Sequence, residues 1–509
     1  MMDILNGFAL ALTPVNILAA LVGALIGTAV GVLPGMGPTA AVGILVTATV
    51  TLSPETGLIA LAAVYYGTQY GDSMTAILMR IPSEPPAVVL AVDGYPMAQK
   101  GRAGPALAIA AISSFIGAAL SLIGLMIAAP TVSRVALLLG PADYAVIAVI
   151  ALLVLSRFSG GSFSTRLLSL AIGLAATTIG LDMVTGIGRF TFDSPELLQG
   201  VEIAPVVIGL YGLAELLHLA GRGGGFPAVE KIPFRKLFPS RTEWRKATPA
   251  AGRGAVVGFL MGVLPGPTLS LANFASHSLE RRISKHPEEF GKGAVQGVAG
   301  PGAADNAAVS GNLLPFLALG LPFTSVTAVL FAGLLLHGIQ PGPLLISQHP
   351  ELFWGLIAAM FVGNVALLLL NFPMVGVWIR LLRIPSPILL ALLMVLMFTG
   401  VYGFRNSVFD LVVLLVSGVA GYLMKLVDLD RTVLVLGLVL GPVLETSIRQ
   451  ALFISRGDPT VFVTTPMGIV GVVVLVGVVV GPPLRRALRR RGGGQTPSEP
   501  SPENAGVLR

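Results

Sequence analysis

The sequence predicts an all-α polytopic membrane protein built from two inverted-topology repeats, each carrying a helical hairpin broken by Pro-Gly. Three observations predict it. Of 509 residues, 54% are hydrophobic and 11% charged, with a mean hydropathy of +0.86, against about 25% charged residues in soluble domains. The string Gly31-Val32-Leu33-Pro34-Gly35 returns as Gly262-Val263-Leu264-Pro265-Gly266, and Pro38-Thr39 after the first copy matches Pro267-Thr268 after the second. Basic residues gather in alternate connectors, as cytoplasmic loops require.

The two strings sit inside apolar sequence. Pro removes a backbone donor and Gly admits positive φ, so each copy ends a helix. Interrupted backbone at membrane depth is tolerated where it lines a protein cavity. Breaks at matching positions of two halves point to a transporter's binding site near the bilayer midplane, and ordinary proline kinks are the plainer alternative.

Composition narrows the classes. The absence of cysteine excludes disulfides, thiolate metal sites and cysteine nucleophiles. The net charge of +7 lies in connectors and in the tail from Arg485 to Arg491, which makes it a topology signal and not a nucleic-acid surface. The 62 glycines and 37 prolines suit closely packed, interrupted helices in a lipid bilayer. No basic residue precedes the first apolar run, so no cleavable signal peptide is expected.

Four segments follow in order: a first transmembrane repeat over 1–220, a cytoplasmic basic linker over 221–253, a second repeat over 254–484, and a basic then disordered tail over 485–509. In the first repeat, arms at 15–33 and 39–52 flank the break, and the connector 51–57 carries no basic residue and is placed outside. Apolar runs follow near 58–80, 105–130, 142–156, 167–182 and 201–220. The loops at 81–104 and 157–166 fall inside and those at 131–141 and 183–200 outside, where Arg189 faces Asp193 and Glu196 in sequence. The second hairpin, with arms 254–264 and 268–279, is followed by Arg281, Arg282, Lys285 and Lys292 and is placed inside. Opposite placement of the two hairpins makes the repeats inverted. Runs near 294–316, 352–373, 386–401, 408–424, 432–453 and 466–483 complete about eleven crossings.

Each half then sets polar groups at membrane depth. After the first hairpin come Tyr66, Tyr70, Asp72, Ser73 and Arg80, and after the second come Asp305, Asn306 and Asn312. An ionisable residue at that depth is a functional candidate, with structural pairing as the alternative. Asp72 and Asp305 are the candidates for coupling to a cation, sodium or proton. Pro34, Gly35, Gly37, Pro265, Gly266 and Thr268 join the four polar residues Tyr66, Tyr70, Ser73 and Arg80, with Asn306 and Asn312, as candidate solute contacts. Exposed backbone N–H groups favour an anion, and unwound carbonyls suit a cation. The Arg80 guanidinium either clamps a carboxylate or snorkels to the inner interface. Asp93-Gly94-Tyr95-Pro96 through Gly101 reads as a surface turn. The histidines lack metal-ligand spacing, so no metal centre is expected.

These residues resemble the large membrane subunit of the tripartite tricarboxylate transporters, the TctA-like family, from about residue 15 to about 485. The resemblance is carried by Gly31 to Gly37, Tyr65-Tyr66-Gly67 with Tyr70-Gly71, Asp93-Gly94-Tyr95-Pro96-Met97-Ala98, Arg189-Phe190-Thr191-Phe192, Gly262 to Gly266, Asn306-Ala307-Ala308, and His337-Gly338 with Pro341-Gly342-Pro343. It implies cation-coupled uptake of a carboxylate across a bacterial inner membrane, with a small membrane subunit and a periplasmic solute-binding protein as partners. It implies no enzyme activity and no cofactor. The chain departs from the family pattern at Asp72, Arg80, Ser83, Gly302, Asp305 and Phe323. An intramembrane aspartyl protease using the two aspartates, and a passive channel, are the competing readings.

Overall fold

Two helix pairs frame the protein, and glycine decides how close each pair comes. The structure, a computed structural model, describes residues 2–33, 37–49, 51–80, 84–158, 162–182, 185–220, 237–381, 386–473 and 475. After α1 (Met2–Ala11), α2 (Pro14–Gly31) starts on a proline and runs to the first break, α3 (Pro38–Thr49) leaves it, and α4 (Pro54–Met79) returns. Ser53 caps α4 through its Oγ, which accepts from the Thr56 N–H at 3.3 Å, and the helix ends where Arg80 turns left-handed at φ 56°. On α2, a Cβ added to Gly23, Gly27 or Gly31 would lie 2.4, 2.3 and 2.2 Å from the carbonyl oxygens of Ala60, Val64 and Thr68 on α4. Only glycine permits that approach, and close approach is what holds helices together where lipid is as apolar as the side chains.

The second half repeats the device. Its α12 (Arg241–Gly262) and α13 (Thr268–Ile283) flank the second break, and α14 (Val295–Leu319) follows. A Cβ on Gly254, Gly258 or Gly262 would lie 2.2, 2.2 and 2.4 Å from the carbonyl oxygens of Gly300, Ala304 and Ala308 on α14. The sequence repeat is thus also a repeat of packing. Where α4 ends on Arg80, α14 ends on Gly320, likewise left-handed at φ 71°.

The elements between these frames are α5 (Val88–Met97), entered by a 3-10 turn at Pro85–Ala87 and left by a π turn at Ala98–Arg102, then α6 (Ala103–Ala136), α7 (Pro141–Phe158) and α8 (Phe163–Ala176). A two-stranded antiparallel ribbon, β1 (Gly180–Leu181) with β2 (Gly188–Arg189), pairs Gly180 with Arg189. Then come α9 (Pro195–Leu198), α10 (Ile203–Val207) and, after a π turn at Ile208–Leu213, α11 (Ala214–Ala220). Beyond α14 lie α15 (Ser325–Leu336), α16 (Leu345–Gln348), α17 (Pro350–Leu381), α18 (Ser386–Arg405), α19 (Val408–Leu426), α20 (Arg431–Ile454) and α21 (Val461–Thr464).

The halves interlock. Helix α14 packs along α6 of the first half as well as α12, and α4 packs along α17 of the second half as well as α2. Gly117 on α6 lets the Ala303 carbonyl of α14 approach to 2.1 Å of where a Cβ would stand. The shared core includes Tyr66, Phe316 and Phe353, all fully buried.

Among the described residues five helical stretches are long and apolar enough to cross a membrane: Pro14–Gly31, Pro85–Ala136, Pro350–Leu370, Val408–Leu426 and Arg431–Ile454. Helices α4 and α14, at 26 and 25 residues, are as long as several of these but carry polar side chains along their length. Polar helices can sit at that depth only when neighbours cover them, and both are buried along almost their whole length.

Several expectations need correction. The stretch 93–101 is not a surface turn and the loop expected over 81–104 holds a helix, because α5 runs through Val88–Met97 and buries Asp93 completely. Helices α1 and α15 were not anticipated. Helix α12 starts at Arg241, inside the stretch read as linker, where Ser240 and Glu243 form a reciprocal cap. Arg189 pairs with Glu445 of α20 at 2.8 Å and not with Asp193 or Glu196. Pro34, Gly35, residues 221–236 and the tail 485–509 lie outside the described residues.

Candidate functional site

The breaks and the two polar helices meet in one buried region. At the second break, Gly266 adopts φ +132°, a conformation that side chains avoid, and its carbonyl accepts the Thr268 N–H at 2.8 Å. Thr268 then opens α13, and its hydroxyl donates to Asn312 Oδ1 of α14 at 2.9 Å. Tyr66 and Ser121 both reach Ser310 Oγ, at 2.5 and 2.7 Å, so α4, α6 and α14 are joined through one hydroxyl.

Carboxylates gather beside this junction. Asp305 Oδ1 accepts from Asn273 Nδ2 at 2.9 Å, and the same amide nitrogen donates to the Pro86 carbonyl at 3.1 Å. Asp72 Oδ2 accepts the Glu84 N–H at 3.2 Å. Glu84 lies within electrostatic reach of Asp72 and of Asp305, and its carboxylate leans on the first break, where a Cβ on Gly37 would meet Oε1 at 2.6 Å. The segment from Glu84 to Pro86 therefore sits between the two aspartates, one from each half.

The region leaves polar atoms unpaired. Among the described residues, Gln69 Nε2, Asn273 Oδ1, Asn306 Oδ1 and Asn312 Nδ2 are buried without a hydrogen-bond partner. An unsatisfied buried polar atom costs about 1–3 kcal/mol, so four on α4, α13 and α14 are a concentrated expense unless a bound species satisfies them. Two are donors fit for a carboxylate, and two are acceptors fit for a cation.

Not every candidate joins in. Tyr70 turns toward α17 and donates to Asn364 Oδ1 at 3.3 Å. Ser73 bonds the Gln69 carbonyl of its own helix at 2.9 Å. Arg80 stands exposed with its guanidinium over the Tyr95 ring at 5.9 Å. Among the ion pairs of the described residues none joins Arg80 to Asp72.

Comparison with known proteins decides the family. The model of the tripartite tricarboxylate transporter TctA family matches residues 17–436. The chain belongs to the TctA family. It is 43% identical over 472 residues, 92% of this chain and 94% of the other, to an uncharacterized 52.8 kDa protein of the TAR-I ttuC' 3' region of Agrobacterium vitis. It is also 47% identical over 210 residues, 41% of this chain and 87% of the other, to an uncharacterized protein of the TAR-II ttuC' 3' region of the same organism. No solved structure matches. TctA is a transporter family.

For this TctA-family chain, sequence reasoning placed both aspartates at the centre but missed Glu84, Asn273, Ser121 and Ser310. Glu84 follows Pro82 closely and was assigned to a loop. Asn273 was hidden as a single amide within the second hairpin arm. Its position five residues after Thr268, more than one helical turn into a short polar-interrupted arm, was the available signal.

Proposed function

We propose that the chain is the solute-translocating subunit of a secondary transporter that takes a tricarboxylate-type solute inward across a bacterial inner membrane, coupled to a cation and supplied by a periplasmic binding protein with a small membrane subunit. The observation that supports it best is the pairing of unsatisfied donors and acceptors around two carboxylates where the broken hairpins meet. The donors Gln69 and Asn312 suit the solute, with Thr268 and the backbone at Gly37 and Gly266. The carboxylates Asp72 and Asp305 suit the cation. The duplicated glycine packing supports two repeats of one unit, and the basic connector after α13 against the uncharged one after α3 supports their inversion.

Two measurements test this reading. Uptake of labelled citrate by cells carrying all three components should require an imposed sodium or proton gradient, and Asp72→Asn and Asp305→Asn should each raise the cation concentration needed for half-maximal uptake. Gradient-independent uptake would make the protein a channel. Because the chain has no cysteine, Thr51→Cys and His286→Cys can be labelled alone, and modification of both from the same side would remove the inversion.

A further inference from the structure

We infer that the ribbon β1–β2 and the loop after it form the seat on which the periplasmic solute-binding protein docks, with Phe190 and Phe192 entering an apolar hollow of that protein and Asp193 and Glu196 meeting basic residues at its edge. The inference rests on the three-component reading above and gives the soluble partner a landing face.

The base of the seat is locked. Arg189 donates to both carboxylate oxygens of Glu445 on α20, at 2.8 and 3.4 Å. Arg449, one turn further along α20, donates to both oxygens of Asp182 at 3.1 and 2.9 Å and pairs with Glu445 as well. Two guanidiniums and two carboxylates thus clamp the ribbon to one helix in the bidentate geometry that holds best. The loop also closes on itself. A Cβ on Gly180 would lie 2.9 Å from Gly200 Cα, and one on Gly188 would lie 3.1 and 3.4 Å from the side chains of Thr191 and Leu198.

On this fixed base the tip stands open. Phe190 is 63% exposed and Phe192 85%. Phe190, Phe192 and Asp193 sit at φ 51°, 48° and 59°, a left-handed region that strains residues with side chains and that persists chiefly where function uses it. Three such residues in four keep two aromatic rings in the open, where burial would be favoured. Aromatic side chains of this kind anchor protein interfaces, and a preformed pair loses little freedom on binding.

Charge chooses protein over lipid. Between residues 180 and 205 the acids are Asp182, Asp193, Glu196 and Glu202, and the only base is Arg189, already paired. Asp193 and Glu196 are exposed. Segments that rest on an anionic bilayer surface carry Lys and Arg, whereas this rim is acidic and complements a basic partner. The loop lies among the connectors placed outside, where the binding protein arrives. Leu436 and Leu440 of α20 pack in one cluster with Leu321 and Phe323, just beyond the end of α14. A partner on the ribbon therefore stands on a packed path to the helix that carries Asn306 and Asn312.

Binding of the purified periplasmic protein of the three-component system tests this, with the full-length chain and its small subunit held in lipid nanodiscs and no solute or gradient present. Biolayer interferometry reads the Kd. Phe192→Asn, alone and with Phe190→Asn, keeps the left-handed turn accessible and should raise the Kd about ten-fold or more with Tm unchanged. Asp193→Lys with Glu196→Lys should weaken binding as much, and the wild-type Kd should rise with salt. Binding that is absent in the wild type, or unchanged in both sets of variants, overturns the proposal. So does an unchanged Kd with a Tm that falls in nanodiscs but not in detergent, which would seat the rings in lipid. Covalent dimers formed on oxidation of Phe192→Cys would make the occupant a second copy and overturn it too. Citrate uptake that needs no binding protein, beside binding that the variants weaken, would overturn the functional reading and leave the docking face standing.

Discussion

The Asp93 carboxylate, on α5 of the first half, accepts the Ala294 N–H at 2.9 Å, just before α14 of the second half begins. Its Oδ1 also accepts from Gly291 and Gly293 at 2.8 and 3.0 Å, and its Oδ2 meets His277 Nε2 at 2.9 Å. One fully buried side chain thus ties the connector after the second hairpin, and the hairpin itself, to the other half. Asp93→Ala would strand three backbone donors. Each buried donor left unpaired costs about 1–3 kcal/mol, so the expected loss is at least about 3 kcal/mol, read as a fall in Tm of the nanodisc-held protein. A loss under 1 kcal/mol would mean that the connector holds itself in place.

The glycine stripes give a contrast within one helix. Gly258 faces the Ala304 carbonyl at 2.2 Å from a built Cβ, while Gly252 has nothing within 4 Å. Gly258→Ala should separate α12 from α14 and lower both Tm and uptake. Gly252→Ala should be neutral or stabilise by up to about 1 kcal/mol, the usual gain of alanine over glycine inside a helix. Equal effects at the two positions would show that close approach does not hold the pair.

Arg80 holds a left-handed conformation that costs an L residue about 1–2 kcal/mol, at the position where the second half has Gly320. Arg80→Gly should therefore raise stability by about 1 kcal/mol and leave citrate uptake within two-fold. A ten-fold fall in uptake with unchanged Tm would return the guanidinium to the solute path.

His337, at the end of α15, has its pKa lowered by burial, which Glu55 partly opposes. The folded state favours the neutral ring, so its contribution to stability is complete above the ordinary histidine value of about 6.5 and is lost as pH falls through it toward the lower folded value. Removing the ring with His337→Gln should flatten the Tm profile below about pH 6.5. A profile equally steep in the variant would place that titration elsewhere.

Much of the frame was legible because Pro-Gly breaks and apolar runs are strong local signals. The arms expected to meet the breaks at residues 33, 39, 264 and 268 are α2, α3, α12 and α13, which meet them at Gly31, Pro38, Gly262 and Thr268. What escaped was structure that local signals deny. Asp93-Gly94-Tyr95-Pro96 carries turn chemistry, yet tertiary contacts hold it in a helix with the proline inside. Helix α15 has 12 residues, too few to announce a crossing. At the site, Asp72 and Asp305 stood out as charges in apolar sequence. Asn273 and Ser310 carry no charge, and only their convergence in space gives them meaning.

The polar stripe of α6 finds its partners late. Ser114 donates to the Gly302 carbonyl at 3.0 Å and Ser121 to Ser310 at 2.7 Å, and Gly117 receives the Ala303 carbonyl, all on α14. During synthesis α6 enters the bilayer long before residue 302 exists. For that interval its hydroxyls must be covered by something else, by lipid headgroups, by the insertion machinery or by a temporary neighbour. A ribosome stalled anywhere between the two halves holds a membrane protein whose longest helix is still waiting for its mate.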